Sequence, residues 1–570
     1  MLNVLGVLVL MYHTQRMGFI TPKLNQVELP EDSYRFRNPK LAYYILTQLD
    51  EFEPVPDTTF NLFNNPHNVY NQPYLSLAQD EKYCSKVRAH FIDNPTSMMN
   101  QYNIFTEYDK GSLVREKIIK RIGKDMMKNL THAIPDKVKK TRTTFFSPKI
   151  NLFYTIYSLH PYQHLGKHYA CLYQQYNHIP GQGTLNRKDM VAESIWDYAE
   201  KYKTRPHCFN YDKAFPETWS LRNKEQCQEF FDKYFNTQEY QELKKKHRIV
   251  FIRKIGFGAH RAEGVQPVNE EEEAQIREMW GNGTKCGTVK KNYLMQRYIL
   301  NPLLLDGHKF DFRLYMIVAS TNPLILYYHD GFLRVSLHKY DVTSNDKSVL
   351  LTNTELSKEL WKKAAKGEKV YGMNETELRN FQMWNLTRLQ DYLLKVGKIK
   401  DPNWLDNYLR PEFKKAMVHL LRATSHAFLK RSQVFELFGI DFMLDDNLNL
   451  WFIECNSGPV LKGTSEEKER FLTKMLLDQF EIVFGYLKSR LKRIIRYTNQ
   501  LIREEIEGNP GLEKPELSDI EEKRKVFKEI TKNYFEPEFE PSPTNGFVKI
   551  IDENLDGTER YAGLISKECL

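Results

Sequence analysis

The chain has 570 residues, 41% of them hydrophobic and 27% charged, which is too long for one small core and gives a prior of roughly three or four domains at about 150 residues each. Lys and Arg number 82 against 73 Asp and Glu, a net charge of +9; that mild excess permits an acidic partner but does not demand nucleic acid, for which no recognition motif is present. No apolar run reaches about 18 residues, so no membrane-spanning helix is expected. Cysteines fall at 84, 171, 208, 227, 286, 455 and 569. They are odd in number and without CxxC pairs, so reduced thiols in a cytosolic protein are expected, not a disulfide frame or a zinc site.

Residues 1–145 are polar, Tyr- and Asn-rich, and carry no clear pattern. The opening run MLNVLGVLVLMYH lacks a basic flank and a small-residue cleavage site, so it reads as a buried strand, with a signal segment as the alternative. GSLVREKIIKRIGKDMMKNL (111–130) sets Leu113, Ile118, Ile122 and Met126 at helical spacing, with Arg115, Lys120, Lys124 and Lys128 on other faces. This is a solvated amphipathic helix or a contact to an acidic partner. Residues 146–245 are mixed α/β, and YNHIPGQGTLNRKDM carries Pro-Gly and Gly-x-Gly turn signals before a helix-like run. Strands dominate 246–485, with helices between them.

Several strands in that region carry charge. KFDFRLYMIVA (309–319) alternates strictly, with Lys309, Asp311 and Arg313 on one face and Phe310, Phe312, Leu314 and Met316 on the other. Such a charged row is costly unless paired or ligand-bound. Lys and Arg suit phosphate oxygens, and Asp311 would steady them or approach a metal. A solvated face with an internal salt bridge is the alternative. The apolar strand YLMQRYIL (293–300) offers main-chain groups to a flat base. YYHDGFLRVSL places Arg334 after an Asp-Gly turn signal. GNGTKCG (281–287) lacks the Gly-Lys-Ser/Thr ending of a P-loop, and GFGAHRAEG (256–264) is a mobile phosphate-covering loop or an ordinary turn.

FELFGIDFMLDDNLNLWFIECN (435–456) reads as a β-hairpin. With Leu444 opposite Trp451 and a loop from Asp446 to Asn449, Asp441 falls opposite Glu454, Gly439 opposite Asn456, and Met443 meets Phe452. Two carboxylates directly across a ladder repel. A divalent cation between them reverses the sign, and hard oxygen ligands without His or Cys suit Mg²⁺, which usually also binds substrate phosphates. Gly439 would leave room for the ion. Two solvent-facing acids are the alternative.

After 485 the chain turns helical and charged. YLKSRLKRIIRYTNQLIR (486–503) places Leu487, Leu491 and Ile494 or Ile495 at helical spacing, with Lys488, Arg490, Lys492, Arg493 and Arg496 around them. That is a basic face for an acidic surface, or a packed helix with a solvated charged face. EFEPSPTNG (538–546) reads as an extended linker or tail. No internal repeat is found.

QRYILNPLLLDGHKFDFRLYMIVAS, LLTN, FELFGIDFMLDD and LWFIECNSGP, in this order and spacing, resemble the tubulin–tyrosine ligase-like family over roughly 170–485. YNHIPGQGTLNRKDM and FPETWSL look like that family's segment ahead of its nucleotide domain. RYILNPLLLDGHKFD and FMLDDNLNLW are closest to the polyglycylase branch. The resemblance implies an α/β (α+β) ATP-grasp nucleotide-binding fold at 246–485, preceded by an α/β segment at 146–245. Residues 1–145 are then an N-terminal extension, and 486–570 a basic helix with a polar tail. It further implies ATP and Mg²⁺ as cofactors, and a free amino acid, glycine first and glutamate next, joined to glutamate side chains of the acidic C-terminal tails of tubulin. A monomer in the cytoplasm and cytoskeleton, with a cilium or axoneme setting, goes with it, and an inactive microtubule-binding relative is the alternative. By position, Asp441, Glu454 and Asn456 match the magnesium ligands. Lys309, Asp311 and Arg313 match the nucleotide strand, and Gln296, Arg297, Tyr298 and Ile299 the adenine-contacting segment. Arg334 and Asn353 match polar residues near the transferred phosphate and the acceptor. The chain departs from the family at VFIRKIGFGAHRAEGV, where Lys254 or Arg253 stands for the strand lysine, the following proline is missing and Ala262 replaces a glycine. Leu351 replaces a histidine in LLTN.

Overall fold

The computed structural model of the chain describes residues 34–51, 81–100, 104–107, 130–133, 148–154, 171–210, 213–258, 264–352, 354–461, 465–503 and 530–570. The apolar opening run, the amphipathic pattern over 111–129, the loop tip 259–263 and Asn353 lie outside the described residues. Helices α1 (Pro39–Glu51), α2 (Glu81–Asp93) and α3 (Pro95–Asn100) lead into β1 (Ile104–Glu107), β2 (Leu130–Ala133), β3 (Leu152–Tyr154) and β4 (Gln175–Tyr176). These strands pair in parallel in the order β2-β1-β3-β4, so one sheet draws on both sides of residue 145. The turn that follows needs glycine at 181: φ is +89°, and a Cβ would lie 1.8 Å from the carbonyl oxygen of Ala427. Helix α4 (Lys188–Lys201) leaves that turn.

A second sheet comes from β5 (Thr218–Ser220), then, after α5 (Lys224–Phe230), β6 (Phe251–Ile255), β7 (Val265–Pro267) and, after α6 (Glu270–Trp280), β8 (Tyr293–Arg297). Its order is β5-β8-β6-β7, all antiparallel. Trp219, Phe230, Phe251 and Trp280 form the centre of its own apolar cluster. Helix α6 begins at Asn269, whose side chain accepts the Glu272 N–H, with four glutamates in the first turn. That is the helix end where negative charge is favourable.

The central sheet is built on β9 (His308–Thr321) and β10 (Leu324–Lys339), with α7 (Arg410–Thr424), β11 (Glu436–Leu444), β12 (Leu450–Ser457), α8 (Glu466–Leu501) and β13 (Val548–Asp552) following in the chain. Strand order is Met383–Trp384, β10, β9, β11, β12, and β13 adds to β10. Strand β9 alternates as its sequence dictates. Phe310, Phe312, Leu314 and Met316 are fully buried, and Phe312 meets Phe413 of α7 with ring centroids 5.1 Å apart. Each such side chain contributes roughly 1.5–3 kcal/mol on burial. On the other face Tyr315 meets Phe471 of α8 at 6.1 Å. Helix α8 covers that end of the face and leaves Lys309, Asp311 and Arg313 at the other.

Four sequence expectations are corrected. The basic run 486–503 is neither a solvated face nor a surface for an acidic partner: Lys488, Arg490, Lys492 and Arg493 are buried. Arg490 donates to the carbonyls of Leu172, Gln174 and Ser432 and to Asn533 Oδ1 at 2.9–3.2 Å. Lys492 pairs with Glu538, and Arg496 with Glu536 at 3.0 Å. Nor is 538–546 a free linker. The Ser542 N–H donates to Glu481 Oε1 (2.8 Å), Asn545 donates to Glu481 Oε2 (2.8 Å), and β13 then pairs with β10 from Ile325↔Asp552 to Tyr328↔Val548. Asp330-Gly331 makes no turn but sits inside β10, and glycine is needed there because a Cβ would lie 1.7 Å from the Arg313 carbonyl oxygen. Finally, six cysteines are joined, Cys84–Cys171, Cys208–Cys569 and Cys227–Cys286, leaving Cys455 free and buried. The partners stand 87, 361 and 59 residues apart, so short-range spacing carries no trace of them. Among the described residues no helix is long and apolar enough to cross a membrane.

Candidate active site

The β11–β12 hairpin sets Asp441 opposite Glu454 and Gly439 opposite Asn456, as the sequence predicts. Nearer the turn the register is one residue different: Met443 meets Trp451, not Phe452, and Leu444 meets Leu450. A bulge between Asp441 and Phe442, with Ile453 as the extra residue, reconciles the two ends. The tighter end is fixed by Asp445, whose carboxylate accepts the N–H groups of Asn447 and Asn449 (both 2.9 Å) and Trp451 Nε1 (3.0 Å). The space at Gly439 is not open for an ion. A Cβ there would meet Pro459 at 3.0 Å and the stem of Arg313 at 3.2 Å.

Across β9, β10 and β11 the charges alternate. Arg313 lies opposite Asp441, and Asp311 opposite Arg334. Arg313 grips Asp441 with two donors (2.5 and 3.0 Å), and Arg334 reaches Asp441 Oδ2 at 2.7 Å. Arg334 also holds Asp311 at 2.6 and 2.8 Å, and the Thr352 hydroxyl donates to Asp311 at 2.5 Å. Burial pushes the Asp441 carboxyl up, but Arg313 and then Arg334 outweigh it and hold it below the usual range. At Asp311 burial prevails and the shift is upward. Lys309 donates to the Tyr298 hydroxyl and the Leu350 carbonyl, both at 2.9 Å. Burial pushes its ammonium down to about 7, Asp311 opposing.

These groups line a cleft between the second sheet and the central sheet, about 1090 Å³ including its mouth. From the second sheet come Lys254, Gln296 and Arg297; from the central sheet Lys309, Asp311, Arg334, Asp441, Glu454 and Asn456; Tyr298 and Ile299 lie between. Lys254, not Arg253, faces the cleft. Its ammonium donates to the Ile453 carbonyl (3.3 Å), and burial lowers it to about 8, with Glu454 opposing. Arg253 turns away to Glu272 and lies over the Tyr293 ring. Gln296 is held by Thr218 Oγ1 at 2.8 Å, while Arg297 is drawn toward Glu217 and stacks 4.9 Å from the Tyr234 ring. Arg313 stands behind Asp441 and is not among the cleft-lining residues.

Two cleft residues had no role in the sequence reading. Lys188, the first residue of α4, sits 3.3 Å from Glu454 Oε2. Its signal was the cation at the end of the Gly-rich turn, in NRKDM. Thr352 belongs to LLTN and was passed over for its neighbours. Lys188 is positioned by local bonding: Arg187 pairs with Asp189 (2.7 Å), and Asp189 accepts from Asn292 (2.8 Å). The donor set Asp441, Glu454 and Asn456 fits a hard divalent cation, because all three offer oxygen to one cleft. Glu454 is held below the usual range: burial and Asp441 raise it, and Lys188 and Lys254 outweigh them.

Residues 164–490 match the model of the tubulin-tyrosine ligase family. Tubulin glycylase 3A of Drosophila melanogaster is 33% identical over 195 residues, 34% of this chain and 18% of that one. The human inactive polyglycylase TTLL10 is 26% identical over 332 residues, 55% of this chain and 45% of that one. Tubulin polyglutamylase TTLL7 of Xenopus tropicalis is 28% identical over 325 residues, 54% and 31%. The chain thus spans less than half the length of these relatives. With more than half of its own residues inside the family match and a mixed helix-and-sheet core that gathers the matched motifs around one cleft, this chain belongs to the tubulin-tyrosine ligase family, near its polyglycylase branch.

Proposed function

We propose that the chain is an ATP-dependent carboxylate–amine ligase of ATP-grasp type. It adds an amino acid, glycine first and glutamate next, to glutamate side chains of tubulin-like acidic tails. The observation that carries this reading is the convergence of Lys188, Lys254, Lys309 and Arg334 with Asp441, Glu454 and Asn456 on one cleft between two sheets. Gln296 to Ile299 would border the base, with Lys254 and Lys309 drawn to the phosphates. Asp441, Glu454 and Asn456 would hold Mg²⁺, which when bound offsets phosphate charge and orients the transferred group. Phosphorylation of the acceptor carboxylate, followed by attack of the amine and loss of phosphate, forms the amide. Arg334 is fixed by Asp311 and Asp441, and so presents a preorganised guanidinium to that anion at little reorganisation cost. Arg313 positions Asp441 without touching substrate. Asn353 is proposed for the acceptor side by motif position.

A second reading, a catalytically inactive microtubule-binding protein, is favoured by the human relative named an inactive polyglycylase and by the altered strand VFIRKIG. One experiment separates the two. Tubulin, and separately a free glutamate-rich peptide, is incubated with the protein, ATP and each amino acid, and the acceptor masses are read. A glycine or glutamate increment that vanishes in Glu454→Gln supports the ligase. ATP binding with no increment for any amino acid leaves the inactive reading.

A further inference from the structure

Six of seven cysteines stand in three apposed pairs, with Cα atoms 5.3–5.7 Å apart. All six are buried. Each bond ties together two separate elements of the chain. Cys84 on α2 joins Cys171 just ahead of β4, and Cys227 on α5 joins Cys286 after α6. Cys569, one residue from the last, joins Cys208 beyond α4. That third contact is also made without the sulfurs: Arg422 donates to the Cys569 carbonyl at 2.6 Å, and Arg205 to the Glu568 carbonyl at 3.0 Å. The cysteine left over, Cys455, is buried on β12 between Glu454 and Asn456.

Buried pairs that tie separate elements together are structural bonds. They persist where thiols are kept oxidised and are rare where glutathione and thioredoxin keep them reduced. We infer that this chain folds and works in an oxidising compartment, as a three-disulfide protein. Each bond forms when two thiols give two electrons and two protons to a protein disulfide donor, which leaves as a dithiol. Resting on the ligase reading, the acceptor is then a glutamate-rich polypeptide of that compartment, chemically like a tubulin tail but carried on another protein.

Two measurements on the full chain, tagged and expressed in eukaryotic cells, test this. Thiols are trapped with a maleimide in denaturant at the moment of lysis, so that buried thiols are reached. One labelled cysteine per chain before reduction and seven after is the expected result; seven labelled before reduction overturns the inference. The tag is then followed in intact vesicles and in the medium. Secretion, or resistance to added protease until detergent is supplied, is expected; digestion without detergent overturns the inference even if the bonds are found. Neither readout depends on turnover, so failure here leaves the ligase reading standing, and a failed ligase assay leaves this one standing.

Discussion

At the cleft end of β9 and β10, Arg313 and Arg334 are paired with carboxylates and Lys309 donates to a hydroxyl and a carbonyl; on α8, Lys488, Arg490, Lys492 and Arg493 stand among carbonyls, rings and the acids of the chain's own C-terminal segment. The α8 row is buried; in the cleft row Lys309 is buried and Arg313 and Arg334 are half-buried. Of the first row, Lys309 and Arg334 border a cavity, so their charge is available to an anion that enters, while Arg313 stands behind Asp441. The second is closed over by residues 530–552, so its charge is spent on holding that segment to the core. Charge in a helix or strand thus says little about function until the element covering it is known. The two rows differ in what their loss should do: the α8 row governs stability, and the cleft row governs ligand binding and turnover.

The largest expected effect is on α8. Arg490→Ala removes four buried hydrogen bonds, three of them to carbonyls, of which Ser432 keeps Asn533 as a donor. A loss of roughly 3–5 kcal/mol in urea unfolding is expected, with Arg490→Lys recovering only part. Were Arg490→Ala as stable as the parent, the contrast between the rows would fail.

Glu454→Gln is the matching change in the cleft. Its side chain is 29% exposed and paired with Lys188 at 3.3 Å, and the buried Lys254 that also faces it keeps its bond to the Ile453 carbonyl. Turnover is expected to fall about 10²–10³-fold, as when one electrostatic group is removed from a preorganised site. The unfolding midpoint should stay within the range of an ordinary surface change, about 0.5 kcal/mol. Asp441→Asn sharpens the contrast. Asp441 satisfies both Arg313 and Arg334, so this variant should lose turnover and about 3 kcal/mol of stability together.

A smaller effect is expected from Lys254→Met. The methionine fills similar volume and removes a buried ammonium whose hydrogen bond is one carbonyl at 3.3 Å. ATP affinity should fall about tenfold, roughly 1.4 kcal/mol, while stability holds or rises. An equal affinity loss in Arg253→Met would reassign the strand lysine, because Arg253 points to Glu272.

Much of the cleft was legible before any coordinates. Strict alternation in KFDFRLYMIVA fixes which side chains share a face, since the pleat has a period of two. The Asp441–Glu454 and Gly439–Asn456 pairs followed from counting across the hairpin, and held because the bulge at Ile453 lies between them and the turn. Other features were hidden for identifiable reasons. Charged residues on α8 look solvated in a helical wheel, and their cover comes from residues about 40 positions onward. Asp330-Gly331 imitates a turn because the glycine answers to a backbone on the neighbouring strand. Disulfide partners up to 361 residues apart leave no local pattern. Lys188 was passed over because its partner is Glu454 of β12, a pairing between segments distant in the chain.

The last and smallest test concerns Lys309, whose pKa burial brings to about 7. Without a bound anion it is then partly neutral at neutral pH. A bound triphosphate favours the ammonium and raises the pKa, so ATP binding takes up protons above pH 7 and weakens as pH rises, by at most about tenfold per pH unit. Lys254, lowered to about 8, adds to the same uptake. The sign for folding is opposite. The unfolded chain holds the Lys309 proton up to an ordinary value of 10.5, so across pH 7–10.5 the unfolded state binds more protons and this residue makes stability rise with pH. Calorimetry at pH 8 in buffers of different ionisation enthalpy measures the uptake directly. Lys309→Met should remove its share while the Lys254 share remains; unchanged uptake in that variant would place the phosphates away from Lys309, and with them the proposed polarity of the nucleotide in the cleft.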